Sequence, residues 1–252
     1  MEAAVRTVVT ILVGVTLLLA VPAPSVRAQV PTIRPATVGS PMPDFTLPAY
    51  QGGSVTLSAL KGKTVLLIFP RGYAAPGAWC HVCNYQHSEL VEYDAAQQFR
   101  KKKNVEILFV LPYAKEAIAD WIDQYPQQLA DLEAWKNPPD PSKLDEAGRQ
   151  RMERSRKNYP KTFRAVKGQV PTPFPILIDA DRAVSKGLGL FTTEWSGSKV
   201  DQNVPTVFII DPAGVVQFKY FSQNTLDRPG VEHLVKVVDW VNASAGRGPS
   251  TR

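Results

Sequence analysis

Short, nearly continuous apolar runs are the clearest signal in the hydrophobic pattern. They are Thr64–Phe69, Val105–Leu111, Pro173–Asp179 and Val204–Ile210. Apolar runs of this length are typical of strands buried on both faces of a sheet. Apolar residues at helical spacing follow the first two runs, over residues 79–102 and 114–124. Two successive strand–helix units predict an α/β fold with parallel strands at its centre.

Turn signals add antiparallel elements to this pattern. Gln51-Gly-Gly53 separates two short strand-like segments and predicts a hairpin. Asp211-Pro-Ala-Gly214 predicts a turn after which Val215–Phe221 returns antiparallel. A last helix is predicted to start near Asp227-Arg-Pro-Gly230. We therefore expect a central mixed β-sheet that is flanked by helices.

The N-terminal residues predict a segment outside the folded domain. Thr7–Val21 is apolar but shorter than the ~20 residues that a spanning helix needs. Val26-Arg-Ala28 suits cleavage of a signal peptide, residues 1–28, after Ala28. We expect an exported protein, periplasmic or extracytoplasmic. It contacts the membrane only in the alternative case, where the segment stays uncleaved as an anchor.

The remainder divides into three parts. Residues 29–43 contain several prolines and no periodicity, so we expect an extended lead-in. Residues 44–243 are predicted to form the folded domain. Residues 244–252 are small and polar and are expected to form a flexible tail.

Residues 125–169 interrupt the alternation of strands and helices. The segment starts beside Pro126 and has a helical pattern from Ser142 to Asn158. Between Lys136 and Lys167 it carries ten Lys and Arg against four Asp and Glu, a net charge of 10 − 4 = +6, equal to that of the whole chain. We expect a helical basic insertion. It is interpreted as a solvated helix, with a docking surface for an acidic partner or an anionic surface as the alternative.

Cys80 and Cys83 are the only cysteines in the sequence, and they lie where the first apolar run passes into a helical pattern. A disulfide between them would close too short a loop to stabilise the fold much. A zinc site would need two more nitrogen or sulfur ligands, and the sequence has only three histidines. A Cys-x-x-Cys at a helix start has a lowered thiol pKa. We predict a redox-active dithiol without a cofactor, with a metal site or an inert disulfide as alternatives.

Six more residues are predicted to shape this site. They are Trp79, His81, Pro76, Arg71, Val204 and Pro205. A cation at His81 or Arg71 would favour a thiolate nearby, although either is equally interpreted as an ordinary surface residue. Proline is excluded from a buried strand except at its first residue or at an edge. Because Pro205 lies just before a buried strand, it predicts a special conformation such as a cis bond, with a trans proline at the strand entrance as the alternative.

These motifs together resemble the thioredoxin-fold superfamily. More narrowly, they resemble the alkyl hydroperoxide reductase/thiol-specific antioxidant (AhpC/TSA, peroxiredoxin-like) redoxin family. The resemblance begins at Gly39-Ser-Pro-Met-Pro-Asp-Phe-Thr-Leu47, extends to Trp240 and leaves out the basic insertion. It includes Val204-Pro-Thr-Val-Phe-Ile-Ile-Asp-Pro-Ala-Gly214. The resemblance implies a thioredoxin-like fold and an antioxidant, thiol-based oxidoreductase.

The chain departs from the peroxiredoxin pattern at two positions. Peroxiredoxins typically show Pro-x-x-x-Thr-x-x-Cys, whereas this chain has Pro76-Gly-Ala-Trp-Cys80-His-Val-Cys83. Cys80 therefore replaces the threonine, and Cys83 takes the peroxide-reactive position. Peroxiredoxins also carry an arginine where this chain has Pro205.

Our first hypothesis is thiol–disulfide exchange with disulfides or thiols of proteins or small molecules. Cys80, as the more exposed cysteine, would attack, and Cys83 would resolve the mixed disulfide. Pro205 would shape a groove in which the backbone of Val204 pairs with an extended peptide. We expect a thioredoxin-like electron donor and no nucleic-acid partner.

The second hypothesis is reduction of hydroperoxides. Cys83 would become a sulfenic acid, Cys80 would condense with it, and Arg71 would replace the missing arginine. A third, non-enzymatic hypothesis is a metal-binding or chaperone module that uses the two cysteines and a histidine.

Overall fold

The computed structural model describes residues 35–245, which contain eleven strands and six helices. The strands are β1 (Thr46–Pro48), β2 (Ser54–Thr56), β3 (Thr64–Phe69), β4 (Tyr73–Ala75), β5 (Ala78–Trp79), β6 (Val105–Leu111), β7 (Ile176–Ile178), β8 (Phe191–Thr192), β9 (Gln202–Asn203), β10 (Thr206–Ile210) and β11 (Val216–Phe221). The helices are α1 (His81–Gln97), α2 (Phe99–Lys103), α3 (Lys115–Lys136), α4 (Glu146–Asn158), α5 (Ala183–Gly187) and α6 (Val231–Ala245). The predicted signal peptide lies outside the described residues, as does most of the predicted tail.

A five-stranded mixed sheet forms the centre, in the order β11-β10-β3-β6-β7. β3, β6 and β7 are parallel, whereas β10 is antiparallel to both β3 and β11. All four predicted apolar runs lie in this sheet, and β3 is buried along its whole length. The predicted mixed sheet flanked by helices is therefore confirmed.

β3 distributes its side chains between two cores, because successive strand residues point to opposite faces. Val65, Leu67 and Phe69 pack in one cluster with residues of the lead-in and of the segment after α5. Leu66 and Ile68 pack in the other, with residues of α1, α2 and α6. The carboxyl end of β3 is thereby fixed from both sides, and this end leads directly into the cysteine segment.

The described part of the lead-in follows the sheet edge. Gly39 N–H donates to Val216 O (2.8 Å), and Pro41 forms a bridge with Val215. Ala36 and Met42 are buried in the core. The residues from 35 to 43 are therefore part of the packed domain, and a turn at residues 38–40 interrupts the expected extended lead-in.

The helical pattern over residues 79–102 forms two helices rather than one. The chain breaks between α1 and α2 at Gln98, which has φ +53°. Asp94 closes this break by accepting from the backbone and side chain of Arg100. None of the helices in the described part of the chain is both long and apolar enough to cross a membrane.

α3 continues twelve residues beyond its predicted end at Gln124 and passes through Pro126 to Lys136. Proline inside a helix removes one backbone hydrogen bond at a cost of about 3 kcal/mol. Tyr125, Leu129 and Leu132 are nevertheless buried on the following turns. Burial of three large side chains outweighs that cost, since each contributes about 1.5–3 kcal/mol.

The predicted helical insertion is present as the second half of α3, a short 3₁₀ turn (Pro141–Lys143) and α4. Asp145 caps α4 by accepting from the Gly148 N–H (2.7 Å). α4 packs against α3. The insertion is thus a helical hairpin built onto a helix of the central fold.

Candidate active site

Cys80 and Cys83 lie at the start of α1, as predicted. Cys80 is the N-cap residue, and its Sγ accepts from the Cys83 N–H (3.3 Å). The two sulfurs are 2.6 Å apart, and both are free thiols. Cys80 is 4% exposed and Cys83 2%. The dithiol is therefore buried, and Cys80 is only slightly the more exposed of the two cysteines.

The loop after β3 holds the sulfurs through its backbone. The Arg71 N–H donates to Cys83 Sγ (3.3 Å), and Gly72 O accepts from the Cys80 N–H (2.9 Å). Gly72 has φ +82°, and a Cβ there would collide with the Tyr113 ring. Only glycine combines this backbone conformation with this close approach. Gly72 is therefore a site residue that sequence reasoning missed.

The Arg71 side chain bonds to groups other than the thiols, although its charge still counteracts the rise in the pKa of Cys80. Its Nε donates to Gln202 Oε1 (2.7 Å), and its guanidinium lies 5.4 Å from the Trp195 ring centre. Arg71 is buried, so it is not a plain surface arginine. It acts on Cys83 mainly through its backbone N–H.

Arg228 supplies the positive charge that lies against the two sulfurs. Its Nη2 lies 3.7 Å from Cys80 Sγ and 3.6 Å from Cys83 Sγ. Its Nη1 donates to Asp227 O (2.6 Å) and Ser222 Oγ (3.2 Å), which fixes the guanidinium in the loop between β11 and α6. Arg228 is 145 residues from Cys83 in the chain. The only sequence feature that could have drawn attention to Arg228 is its place in the Asp-Arg-Pro-Gly motif before the last helix.

The two thiols have opposite pKa shifts. Burial opposes ionisation of Cys83, but the hydrogen bond from Cys80 and the charge of Arg228 outweigh burial and lower its pKa to about 5. Burial raises the pKa of Cys80 well above its usual range, and a negative Cys83 raises it further. At neutral pH the charge therefore resides on Cys83, with Cys80 as its protonated neighbour. The sequence had assigned the attacking thiolate to Cys80.

Val204 and Pro205 differ from their predicted geometry. The bond between them is trans. The Val204 N–H donates to Leu190 O (2.8 Å), and its carbonyl accepts from Thr206 Oγ1 (2.9 Å). The Val204 backbone is thus already paired within the protein. The expectation of a cis bond and a free edge for a peptide was wrong in this structure.

Pro205 contributes to the site in another way. Its carbonyl accepts from the Ser222 N–H (2.9 Å), and the Ser222 hydroxyl accepts from Arg228. β10 therefore holds the loop that carries the arginine.

The other predicted residues surround the thiols. The Trp79 indole N–H donates to Asp120 (2.9 Å), and its ring stacks on Tyr73. His81 faces the insertion, where its Nε2 is 3.3 Å from Asp131. Pro76 is exposed at the turn of the β4–β5 hairpin. Trp79 is thus a buried support, whereas Pro76 is peripheral.

The basic insertion covers the dithiol. Its residues Leu132 and Tyr159 are buried in one apolar cluster with Cys80 and Cys83. The Tyr159 hydroxyl donates to Leu226 O (2.6 Å), two residues before the site arginine. From the sequence we expect the insertion to be a solvated helix. Its inner face is instead a wall of the active site.

A buried polar network supports α1 behind the thiols. Asn84 accepts from the Trp121 indole N–H and donates to Gln128, both at 2.6 Å. His87 Nδ1 is 2.9 Å from the Tyr125 hydroxyl, and burial lowers the pKa of His87 to about 3. A neutral His87 at physiological pH is therefore part of the packing between α1 and α3.

No metal centre is evident around these residues. Within the part of the chain that the structure describes, no three His, Cys, Asp or Glu side chains are grouped as metal ligands.

The chain is similar to known proteins in sequence and in fold. A model of the AhpC/TSA family matches residues 38–219. Many solved structures are similar in fold, and two peroxiredoxins are among them. The reduced 2-Cys peroxiredoxin of Plasmodium vivax is 21% identical, with a TM-score of 0.51 over 86% of this chain and 90% of that one. A cysteine-to-serine mutant of peroxiredoxin 6 of Arenicola marina is 15% identical, with a TM-score of 0.54 over 86% and 79%. Among curated protein sequences, none is significantly similar.

Proposed function

Because the chain belongs to the AhpC/TSA family and is a thiol-based oxidoreductase, we propose that it reduces hydroperoxides, with Cys83 as the peroxide-reactive cysteine and Cys80 as the resolving cysteine. The observation that carries this proposal is the position of the Arg228 guanidinium, whose Nη2 lies 3.7 Å from Cys80 Sγ and 3.6 Å from Cys83 Sγ. Arg228 lies against a Cys83 thiolate, and Cys80 remains protonated beside it. A thiolate is the nucleophilic form of cysteine.

The proposed reaction has two steps. The Cys83 thiolate attacks one oxygen of the hydroperoxide, an S–O bond forms, the O–O bond breaks, and the alcohol or water leaves after taking up a proton. Arg228 stabilises the negative charge that develops on the leaving oxygen. Cys80 then loses its proton and attacks Cys83, which expels the sulfenic oxygen as water and forms the disulfide. Peroxide gains two electrons, and the dithiol loses two.

Burial of the dithiol favours a small substrate. Cys83 is 2% exposed, and the Val204 backbone is already paired within the protein. A hydroperoxide needs only a narrow path to the sulfur, whereas a protein disulfide needs a groove beside it. This is a second reason to rank peroxide reduction above thiol–disulfide exchange.

Thiol–disulfide exchange is the second candidate function. The observation that favours it is the Cys-x-x-Cys pair at the N-terminus of α1, with adjacent sulfurs. In this structure the low thiol pKa belongs to Cys83, so the order of attack by the two cysteines would be the reverse of our first hypothesis.

Two variants separate the candidates. With dithiothreitol as reductant, the wild-type protein is expected to consume hydrogen peroxide, and Cys83→Ser is expected to abolish consumption. Cys80→Ser should react once, giving a sulfenic acid on Cys83 that mass spectrometry detects. Peroxide consumption that survives Cys83→Ser would contradict the proposal. Rapid reduction of insulin disulfides without peroxide consumption would favour exchange.

We also propose that the protein is exported by its N-terminal signal. The apolar segment before Ala28 supports this location. Expression of the full chain followed by mass spectrometry of the secreted or periplasmic fraction tests it, with a new N-terminus at Gln29 expected. An intact Met1 on membrane-bound protein would contradict cleavage.

A further inference from the structure

We propose that the outer face of α4 is a docking surface for the protein dithiol that reduces the Cys80–Cys83 disulfide, and that this reductant carries acidic residues around its own cysteines. The inference rests on the proposed function, since a peroxidase needs electrons at each turnover. It assigns a role to the basic insertion and the chemical class of its partner.

Three cations form the docking surface. Arg151, Arg154 and Lys157 are exposed and spaced by three residues, so they follow one another along one side of α4. Among the described residues, no carboxylate lies within ion-pair distance of any of them. Glu153 is an exposed carboxylate on the same helix and leaves a net positive surface.

Most other cations of the insertion are already engaged. These ion pairs are Lys136–Glu133, Lys143–Asp140, Arg149–Glu146, Lys161–Glu92 and Lys167–Asp123. Arg156 donates to the Lys136 carbonyl (2.7 Å) and fixes α4 on α3. The unpaired charges are therefore concentrated on the outward side of one anchored helix.

The docking surface is directly connected to the dithiol. Ser155, on the inner side of α4, is buried, and Tyr159, immediately after the helix, packs in the cluster that contains both cysteines. Burial of the sulfurs means that a protein reductant has to displace this cover before it can react. A partner bound on α4 would be attached to the element that must move.

The reductive step is an exchange of two disulfide bonds. A thiolate of the partner attacks Cys80 Sγ, and the bond between the two cysteines breaks. Cys83 leaves as a thiolate, since the thiol with the lower pKa is the better leaving group. The second thiol of the partner then attacks the partner sulfur of the mixed disulfide. This forms a disulfide within the partner and releases Cys80, which takes up the proton. The partner is oxidised by two electrons, and the dithiol is restored.

Synthetic peptide dithiols test the charge requirement. Two peptides share a Cys-Gly-Pro-Cys centre and are flanked by glutamates in one and by lysines in the other. The full chain, oxidised with diamide, is mixed with each peptide, and reduction is followed by thiol release. At low ionic strength we expect the acidic peptide to react at least about tenfold faster, because attraction raises the encounter rate. The difference should shrink at high salt, where the Debye length falls to about 3 Å at 1 M.

Two double variants with the same charge change test whether the preference for the acidic peptide depends on α4. Arg151→Glu with Arg154→Glu should remove the preference, whereas Lys101→Glu with Lys102→Glu, an equal charge change on exposed residues of α2, should keep it. Reduction by uncharged dithiothreitol should be equal in all three proteins, which shows that the fold and the disulfide are intact.

Two results would overturn the inference. One is equal rates for the two peptides at low salt. The other is binding of the wild-type protein to anionic phosphatidylglycerol vesicles that is lost in the α4 variant, without any peptide preference. Because diamide forms the disulfide, this experiment does not depend on whether peroxide is the natural oxidant. Failure of the peroxidase proposal is therefore distinguishable from failure of the docking proposal.

Discussion

The chemistry of the dithiol depends on a few atoms around Cys83 Sγ. One backbone N–H, one thiol and one guanidinium contact it, from three separate segments of the chain. In a buried site each of these groups strongly affects the charge, since little water is present to screen it. The charge of Cys83 is therefore a property that single substitutions should change.

Removal of the guanidinium should raise the pKa of Cys83. Arg228→Gln loses a cation next to the sulfur, so less thiolate is present at neutral pH. We expect the rate of peroxide reduction to fall on the order of 10²-fold, the usual effect of losing one charge-stabilising donor. The thiolate absorbance in the ultraviolet, followed against pH, should show the shift. Arg228→Lys keeps the charge and should restore part of the lowered pKa of Cys83. An unchanged pKa in Arg228→Gln would contradict the proposed role of Arg228.

The pH profile tests the contribution of Cys80. The rate should follow the thiolate fraction of Cys83, so it should be constant around pH 7 and fall by half near pH 5. Single-turnover kinetics should show that Cys80→Ala, which lacks the hydrogen-bond donor, shifts the fall to higher pH. Cys80→Ser keeps a donor and should shift it less. Identical profiles for the two variants would show that this hydrogen bond does not stabilise the thiolate.

At the scale of elements, the long helix α3 connects the central fold to the insertion. Its first half packs beside β5 and its second half reaches Leu132, which lies against the cysteines. Pro126 stands between the two halves without ending the helix. The continuity of α3 therefore depends on packing rather than on helix propensity at that turn.

Replacement of this proline should stabilise the helix. Pro126→Ala restores a backbone donor and removes the ring clash, and we expect unfolding to require up to about 3 kcal/mol more free energy. Urea denaturation measures the change. Ala130→Pro, on an exposed position one turn later, should destabilise by a similar amount. A destabilised Pro126→Ala protein would show that a bend at Pro126 is needed for packing.

At the scale of the whole molecule, the insertion and the β11–α6 loop enclose the dithiol together. Tyr159 comes from the insertion, Arg228 comes from the loop, and the Tyr159 hydroxyl bonds to Leu226 of that loop. Access to the sulfurs is therefore controlled by contacts between parts of the chain that are far apart in sequence.

Loss of that hydrogen bond should loosen the cover. In Tyr159→Phe we expect a large maleimide to alkylate the reduced dithiol several-fold faster, since one neutral hydrogen bond contributes about 0.5–1.5 kcal/mol. Iodoacetamide, which is small, should respond less. Tyr93→Phe, a change of equal size on α1, is the control. Equal alkylation rates in both variants would mean that the Tyr159 bond does not hold the cover closed.

The strand and helix pattern predicted most of the central fold. Its four apolar runs all contain strands of the central sheet, because strands buried on both faces are nearly continuous apolar runs in the sequence. The hairpins β4–β5 and β8–β9 were not predicted, since strands of two or three residues carry no periodic signal. The end of α3 was predicted too early, at Gln124, because tertiary packing carries the helix through Pro126.

Local sequence patterns were enough to predict the mixed sheet, the helices around it, the dithiol at the start of α1 and the family resemblance. These features follow from local pattern and spacing, which a linear chain displays directly. Only the folded chain shows that Arg228 lies against Cys83, which favours the charge on this sulfur, and that the insertion covers the site. Both depend on contacts between residues far apart in the chain, such as Arg228 with Cys83 and Tyr159 with Leu226. The physical reason is that burial and electrostatics act through space, whereas sequence patterns report only what neighbours along the chain share.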